Sequence, residues 1–312
     1  MPLISICIPF FKNLNYLQRL LDSISIQTFH DFEVVVTDDG NDLSIANLLS
    51  IYETKFTINY FKNPVALGTP ANWNFAISKA NGSWIKMMHS DDWFRTNDAL
   101  QIFYENISKH NDSDFFFSAY ENVQEGSGEK QVVKMSFLDK FIFGMNPYHL
   151  LKKVYIGNPS CTLVRKNLNI WYDTRFKFIV DFEYYIRIIQ QTKTLVYIDK
   201  VLLNIGFHKE QVTTYTKYNP EVQIPENMIF LNEQKKDILK NVIVFDYFWR
   251  LIRNLKIDSA EKLSSFLGNN EPKLSILFMI NFQKKIPFFL LKKGVVSKFF
   301  MFIAFCTNLF KN

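Results

Sequence analysis

Cysteine is scarce in this chain of 312 residues, and its three cysteines, Cys7, Cys161 and Cys306, lie far apart without forming a CxxC pair. This spacing excludes a disulfide framework and a cysteine-rich zinc site. Isolated cysteines are typical of proteins that work in a reducing compartment. The sequence therefore favours a cytoplasmic protein.

Long hydrophobic runs and targeting signals are also missing. No uninterrupted apolar run reaches the ~18 residues of a membrane span, because Lys292, Lys293 and Lys298 interrupt the C-terminal stretch. The N-terminal MPLISICIPFF has neither the basic region nor the cleavage site of a signal peptide. Hydrophobic residues make up 48% of the chain and charged residues 21%, so we expect a packed core.

The glycine and lysine patterns of common nucleotide-binding loops do not occur. No GxGxxG follows the first predicted strand, and there is no Walker lysine loop. The formal net charge is +6, but no DNA- or RNA-binding motif accompanies it, so we expect no nucleic-acid partner. A phosphate-bearing ligand would need another counter-charge, and a divalent metal ion held by carboxylates supplies one.

What the sequence does contain is a regular alternation of strands and helices in its first part. Apolar runs typical of strands alternate with stretches in which apolar residues have helical spacing. Strands are predicted at 3–9, 32–36, 56–60 and 84–88, and helices at 14–26, 45–52, from Thr69-Pro70 to Gly82, and 97–110. This order predicts an α/β fold with a mostly parallel sheet flanked by helices.

Two pairs of carboxylates follow strands of this predicted sheet. Asp38-Asp39 precede Gly40, and Asp91-Asp92 end the stretch WIKMMHSDD. Ligands of parallel sheets bind outside the carboxyl ends of the strands, so both pairs should face one crevice. Adjacent like charges repel, so a shared cation or proton is expected, and Asp91 would be a metal ligand. The alternative is an ordinary strand end with a helix-capping aspartate.

The rest of the chain is less regular and then helical. A hairpin or flexible loop is predicted over 115–135, and strands at 195–198 and 201–207. Asp181 opens a helical stretch, where the helix dipole favours an acid. Beyond residue 218 helices are predicted at 226–239, 242–255, 260–267 and 274–282, followed by a Phe- and Lys-rich stretch at 286–310.

The first part resembles the family 2 glycosyltransferases. The stretches that carry the resemblance lie between residues 3 and 215 and are SICIPFFKNLNYLQRLLDSISIQTFHDFEVVVTDDG, NPVALGTPANWNFAISKANGSWIKMMHSDDWF, and VDFEYYIRII with LLNIGFHKEQVT. The resemblance implies a Rossmann-like GT-A catalytic domain at 1–215. It also implies a nucleotide-diphosphate-sugar donor, a divalent metal (Mn²⁺ or Mg²⁺), and inversion at the anomeric carbon. Among the donors, a UDP-sugar is expected before any other.

The resemblance further implies a donor site formed by Pro9, Phe11, Asp38, His89 and Ser90. Asp38 would accept a hydrogen bond from uracil or thymine, with a turn-stabilising role as the alternative, while Asp39 is expected to stabilise the turn. His89 replaces the first aspartate of the family's Asp-x-Asp signature. This departure leaves the identity of the metal open, because imidazole suits manganese better than magnesium. A strand-end histidine without a donor role is the alternative.

Metal and catalytic roles follow from the same resemblance. Asp91 and His208 are expected to bind the metal, and Asp181 to act as the general base that takes the proton of the acceptor hydroxyl. Val180 stands where the family usually has a glutamate, and Glu183 is the fallback base. The alternative for Asp181 is a helix cap. These departures also leave open a non-catalytic protein that binds nucleotide-sugars.

Residues 216–312 lie outside the resemblance and are predicted to form a helical, basic and Phe-rich accessory region. Phe and Leu alternate with Lys in PFFLLKKGVVSKFFMFIAFCTNLF, a composition typical of a helix that lies on a membrane surface. Core helices with lysines pointing outward are the alternative. We therefore expect a peripheral membrane enzyme that acts on a saccharide or lipid-linked oligosaccharide in surface polysaccharide synthesis. The oligomeric state stays open.

Overall fold

A computed structural model of the chain describes residues 1–192, 194–268 and 271–311. The strands are β1 Ile4–Phe10, β2 Phe32–Asp38, β3 Ile58–Lys62, β4 Trp84–Met87, β5 Trp93–Phe94, β6 Phe115–Gln124, β7 Lys130–Val133, β8 Thr162–Arg165 and β9 Leu195–Phe207. The helices are α1 Leu14–Ser25, α2 Ile45–Ser50, α3 Ala71–Lys79, α4 Ala99–Lys109, α5 Phe137–Met145, α6 Val180–Gln191, α7 Val212–Thr216, α8 Pro220–Glu233, α9 Val242–Asn254, α10 Ala260–Ser264, α11 Leu274–Lys284, α12 Phe288–Leu291 and α13 Gly294–Lys311.

The chain divides into two compact units. The first comprises Met1–Phe141, Tyr155–Thr174 and Glu183–Gln211. The second comprises Ile142–Val154, Arg175–Phe182 and the chain from Val212 onward. The predicted domain boundary between residues 215 and 216 stays a prediction.

The first unit contains the sheet, whose strand order is β3-β2-β1-β4-β8-β6-β9-β5, with β7 paired to β6. Strand β1 pairs in parallel with β2 and β4, and β2 pairs in parallel with β3. Strands β1 and β2 are buried almost throughout, as expected for parallel strands covered on both faces. The predicted α/β fold is confirmed, and β5, β7 and β8 add antiparallel pairs to its later half.

Helix α1 covers one face of this sheet with residues at helical spacing. Leu17, Leu20, Leu21 and Ile24 are buried in the same apolar core as the isoleucines of β1. Each such side chain contributes about 1.5–3 kcal/mol when fully buried. The Asn13 side chain caps the helix by accepting a hydrogen bond from the Tyr16 N–H at 3.3 Å. This packing fixes the helix that also carries Arg19.

Helix α3 begins one residue later than predicted. Pro70 is its N-cap and not its first residue, and the Pro70 carbonyl accepts a hydrogen bond from the Asn74 N–H. The helix stops at Lys79 before Ala80, so Gly82 is not its cap. A side chain at Gly82 would lie 2.7 Å from the Ser5 backbone nitrogen. Glycine is therefore needed there because the chain passes close to β1.

Strand β9 is continuous, whereas two separate strands were predicted. It pairs in parallel with β6, with Ile198 opposite Ser118 and Val201 opposite Ala119. Asp199 and Lys200, the polar residues that indicated a break, form an irregularity between these pairs. Strands β6 and β7 form the predicted hairpin. The bulge therefore interrupts the pattern of apolar residues without ending the strand.

The second unit is built around helix α9. Phe245, Phe248 and Trp249 are fully buried, and the Trp249 indole Nε1 donates a hydrogen bond of 3.1 Å to the Ser297 hydroxyl on α13. The helix predicted at 226–239 is in fact α8, which begins at Pro220 because Asn219 caps it and proline suits the first position. Among the described helices, none combines the length and the apolar character needed to cross a bilayer.

Candidate active site

The parallel strands of the first unit bring the predicted donor residues to their carboxyl ends. Phe10 at the end of β1 lies opposite Asp38 at the end of β2, and Pro9 lies opposite Thr37. On the other side of β1, Cys7 lies opposite Met87, the last residue of β4. Phe11, which follows β1, is exposed. The segment from His89 to Asp92 follows β4, so it lies at the same edge of the sheet as Asp38.

Asp38 is fully buried and its carboxylate is held by protein donors. Oδ1 accepts a hydrogen bond from the Gly40 N–H at 2.6 Å, and Oδ2 accepts from the Tyr60 hydroxyl at 2.8 Å and the Lys62 ammonium at 3.0 Å. Burial and this carboxylate raise the pKa of Tyr60. The Asp38 side chain is therefore fixed in place, and its predicted role toward a base stays a prediction.

Asp39 organises the loop that leads to α3. Its Oδ1 accepts hydrogen bonds from the Asn63 amide at 2.6 Å and the Leu67 N–H at 3.0 Å. Its Oδ2 accepts a hydrogen bond from the Gly68 N–H at 2.8 Å. This is the turn-stabilising role expected from the sequence.

A cluster of possible metal ligands follows β4. His89, Asp91 and Asp92 each offer a ligand atom, and these atoms lie within 4.8 Å of one another. The His89 ring lies against Trp73, with ring centroids 4.7 Å apart, and its Nε2 is buried without a hydrogen-bond partner among the described residues. Burial lowers the pKa of His89, which favours the neutral imidazole that binds metals. Ser90, partly buried, lies in the turn between them.

Asp91 is the charged member of the cluster. Its Oδ2 accepts hydrogen bonds from His208 Nε2 at 2.9 Å and from the Gln211 amide at 3.1 Å. Burial acts to raise the pKa of Asp91, but the hydrogen bond from His208 and the nearby positive charges lower it overall. The same bond raises the pKa of His208. The structure thus brings together Asp91 and His208, which are 117 residues apart in the chain.

Asp92 has a different environment from its neighbour. Its Oδ2 accepts a hydrogen bond from the Asn158 amide at 2.7 Å, and its Oδ1 accepts from the Gly206 N–H at 3.1 Å. Burial, followed by the charge of Asp91, raises the pKa of Asp92. Asp92 therefore favours its protonated form. Its hydrogen bonds join the turn after β4 to Asn158 and to Gly206 of β9.

Arg19 supports the Asp91 turn and was not predicted from the sequence. Its Nη2 donates a hydrogen bond of 2.8 Å to the Asp91 carbonyl, and its Nη1 lies 2.7 Å from Glu125 Oε1. The guanidinium stacks on Trp93, 3.7 Å from the ring centroid. A side chain at Gly206 would lie 2.4 Å from the Asp91 carbonyl oxygen. A lone arginine or glycine gives no signal of such contacts in the sequence.

Asp181 belongs to the second unit, where it is the second residue of α6. Its Oδ1 is buried and has no hydrogen-bond partner in the described part of the chain. Burial raises the pKa of Asp181 to about 7. The fallback residue Glu183 is occupied, because both of its carboxylate oxygens accept hydrogen bonds from the Arg187 guanidinium. Asp181 can therefore take up a proton near neutral pH.

The family model of glycosyl transferase family 2 matches residues 5–171, which is more than half of the chain. The chain belongs to glycosyltransferase family 2. The predicted family and enzyme class are thereby confirmed. An uncharacterized glycosyltransferase of Rickettsia felis is 31% identical over 144 residues, 45% of this chain and 23% of that protein. The first three curated relatives are longer, and the chain spans 17–23% of their length.

Solved structures share the fold of this chain. The crystal structure of S. aureus TarS 1–349 in complex with UDP-GlcNAc is 18% identical with a TM-score of 0.62, and the match covers 89% of this chain and 78% of TarS. Mannosyltransferase PcManGT from Pyrobaculum calidifontis, in complex with GDP-Man and Mn²⁺, is 11% identical with a TM-score of 0.59, covering 100% of this chain and 88% of PcManGT. The predicted GT-A fold is confirmed.

Proposed function

We propose that this family 2 glycosyltransferase moves a sugar from a UDP-sugar to a hydroxyl of a saccharide or lipid-linked oligosaccharide, with inversion at the anomeric carbon. The observation that carries the proposal is the cluster of His89, Asp91 and Asp92, whose ligand atoms lie within 4.8 Å at the carboxyl ends of the parallel strands. Support for the donor class comes from the fold shared with TarS, whose structure contains UDP-GlcNAc.

The nucleotide would bind beside the ends of β1 and β2. Pro9 and the exposed Phe11 offer an apolar surface to the base, and Asp38 offers a carboxylate that is already fixed by Tyr60 and Lys62. Because Asp38 is fully buried, the proposed hydrogen bond from the N–H of a base requires the side chain of Tyr60 or Lys62 to move aside. Uracil has such an N–H group.

A divalent metal ion fits the residues after β4. His89 has a buried nitrogen without a partner among the described residues, and Asp91 is ionised and oriented by His208. The mixed nitrogen and oxygen donors favour Mn²⁺ over Mg²⁺. The bound ion would neutralise the charge that develops on the departing diphosphate. His89 and Asp91 would hold it, with His208 as a direct ligand or as the residue that orients Asp91.

Asp181 is the proposed general base. The acceptor oxygen forms the new bond to the anomeric carbon while the bond to the diphosphate oxygen breaks, and the proton of the acceptor hydroxyl passes to Asp181. A carboxylate with a pKa of about 7 is a much stronger base than an ordinary aspartate and is still half ionised at neutral pH. Its buried Oδ1, which has no hydrogen-bond partner in the part of the chain that the structure describes, leaves a place for that proton.

The reaction is proposed to take place on the cytoplasmic side of the membrane, in the synthesis of a surface polysaccharide. Cys7, Cys161 and Cys306 form no disulfide bond among the described residues, which suits a reducing compartment. A peripheral location at the membrane suits a lipid-linked acceptor, whose glycan lies at the bilayer surface.

The test is release of UDP from a panel of UDP-sugars by the full chain with MnCl₂. We expect release with at least one donor and a loss of at least about a hundredfold in the Asp91→Asn variant, because the metal loses an anionic ligand. The matched control is Asp112→Asn, which changes an exposed carboxylate on a loop. Full activity of Asp91→Asn would refute the metal assignment. Nucleotide binding without turnover of any donor or acceptor would instead indicate a non-catalytic binding protein.

A further inference from the structure

Helix α13 presents apolar side chains to the solvent along one face. Val295, Phe299, Phe302 and Phe310 have exposed fractions of 86%, 61%, 56% and 91%. Their spacing of three to eight residues places them on one side of the helix, together with Ile303 and Leu309. In α12, Phe288 and Phe289 are exposed as well. We call this set of residues the α12–α13 apolar face.

The opposite side of α13 packs in the second unit, where small and polar residues accompany Met301 and Phe305, whose ring lies 5.4 Å from that of Phe245. Ser297, Met301, Ala304 and Asn308 are buried at a spacing of three or four residues. The Ser297 hydroxyl accepts hydrogen bonds from Trp249 Nε1 at 3.1 Å and from Arg253 Nη1 at 2.9 Å. Helix α13 is thus anchored through this side. Because its other side exposes large apolar residues, the alternative of core helices that point only lysines outward does not describe it. The exposed apolar side chains on the other side of α13 are left for another surface.

The charges of the segment that carries the apolar face have one sign. After Glu271 the sequence contains no acidic residue but seven lysines, Lys273, Lys284, Lys285, Lys292, Lys293, Lys298 and Lys311. The five from Lys284 to Lys298 are exposed. Apolar side chains bordered by lysines match the interface of an anionic bilayer, where acyl chains lie beneath phosphate groups.

A small basic cavity adjoins the same face. It has a volume of about 220 Å³ and is lined by Tyr218, Arg253, Asn254, Lys256, Phe288 and Lys292. Three of these residues are cations and none is an acid. Phe288 and Lys292 also belong to α12 and its end, so the cavity opens beside the exposed phenylalanines. A cavity of this charge is suited to a phosphate group.

We infer that the α12–α13 apolar face docks on an anionic phospholipid bilayer, with α13 lying in the plane of the interface and the basic cavity receiving a lipid phosphate. The inference deepens the proposed function, because it names the surface that brings the enzyme to a lipid-linked acceptor. In this respect it rests on the proposed function. A second copy of the chain is a poorer occupant. In a two-fold interface the same patch meets itself, which would bring these lysines together without any acid between them.

The test is sedimentation of the full chain with vesicles of phosphatidylcholine, with or without one third phosphatidylglycerol. We expect binding to the anionic vesicles and at least about tenfold weaker binding to phosphatidylcholine alone. Phe299→Asp/Phe302→Asp should weaken binding to anionic vesicles at least about tenfold, since it removes two inserting side chains and adds repulsion. Lys292→Glu/Lys293→Glu should have a similar effect.

Matched controls test whether position matters. Ile26→Asp/Ile51→Asp changes two apolar residues of the first unit with exposed fractions of 61% and 60%. Lys235→Glu/Lys236→Glu changes another adjacent pair of exposed lysines. Both controls should bind vesicles as the unchanged protein does. All variants change exposed side chains, so their melting temperatures should stay close to that of the unchanged protein.

Two outcomes would overturn the inference. One is equal vesicle binding by the face variants and their controls. The other is a dimer in light scattering that Phe299→Asp/Phe302→Asp dissociates, which would make the face a self-association surface. A second measurement, UDP release from a soluble donor in the absence of vesicles, tests the proposed function separately from membrane binding. The face variants should retain it, and its absence from the unchanged protein would count against the proposed function alone.

Discussion

Replacing Asp181 with asparagine should stabilise the protein, and by an amount that depends on pH. The pKa of Asp181 is raised from 3.8 to about 7 because the carboxyl group is buried, and its Oδ1 has no hydrogen-bond partner among the described residues. Asparagine has nearly the same shape and does not titrate. The variant therefore removes the ionisation and little else.

The sign follows from the two pKa values. Below pH 3.8 the carboxyl group is protonated in the folded and the unfolded protein, so its titration contributes nothing. As the pH rises, the unfolded chain releases the proton first, and the folded state becomes progressively less stable until the pH passes about 7. A difference of about 3 pKa units corresponds to about 4 kcal/mol. Partial exposure of the side chain reduces this to about 2–4 kcal/mol.

Urea unfolding followed by far-UV circular dichroism at several pH values measures the effect. The free energy of unfolding of Asp181→Asn, minus that of the unchanged protein, should increase by about 2–4 kcal/mol between pH 4 and pH 8. Transfer activity should depend on the same ionisation, but here the variant should perform worse than the unchanged protein. In the unchanged protein it should rise with pH through about 7, as Asp181 loses its proton, and it should be lost in the variant.

Glu226 provides the matched contrast in the same unit. Its buried carboxylate accepts hydrogen bonds from the N–H groups of Lys177, Phe178 and Ile179 at 2.8, 2.9 and 3.1 Å. Burial raises the pKa of Glu226 as well, but Glu226→Gln should lower stability by about 1–3 kcal/mol, because an amide group then faces three backbone donors. If the Asp181→Asn difference stays flat from pH 4 to pH 8, the pKa of Asp181 is the same in the folded and the unfolded protein. The argument for a base poised near neutral pH would then be wrong.

Two further substitutions probe the support of the Asp91 turn. Gly206→Ala should reduce UDP release at least about tenfold and destabilise the fold by about 1–3 kcal/mol, because its Cβ would lie 2.4 Å from the Asp91 carbonyl oxygen. Gly144→Ala is the control, because its added Cβ meets no atom of the described residues within 4 Å, and equal effects on UDP release would contradict the explanation. Arg19→Gln should lower the free energy of unfolding by about 1–2 kcal/mol through loss of its bond to Asp91 and its ion pair with Glu125. An unchanged urea midpoint would disprove it.

Local patterns in the sequence were sufficient to predict which strand ends form the edge of the sheet. They were not sufficient to predict the contacts that side chains make at this edge. Strands β1, β2 and β4 were predicted from their apolar runs, and the structure buries these strands and pairs them in parallel, which brings their ends together. The contact between Asp91 and His208 joins residues far apart in the chain, so only family resemblance indicated it. Arg19 and Gly206 carry no motif, since their roles depend on how β9 passes the turn after β4.

The continuous β9 illustrates the same limit. Asp199 and Lys200 are polar in a stretch of apolar residues, and polarity commonly marks the end of a strand. The partner strand β6 decides otherwise, because its register with β9 shifts at Ser118 and Ala119 and leaves the two residues in a bulge. A bulge depends on the pairing of two strands, whereas the sequence pattern reports on one strand at a time.

The two adjacent carboxylates after β4 differ in pKa because their surroundings differ. Asp91 receives hydrogen bonds from His208 and Gln211, which favour its charge, whereas Asp92 is buried and bound by Asn158 and the Gly206 N–H. Charging both would place two anions side by side, and the raised pKa of Asp92 avoids this. The repulsion expected from the sequence is therefore relieved by a proton on Asp92, which leaves the single negative charge of Asp91 available to a cation.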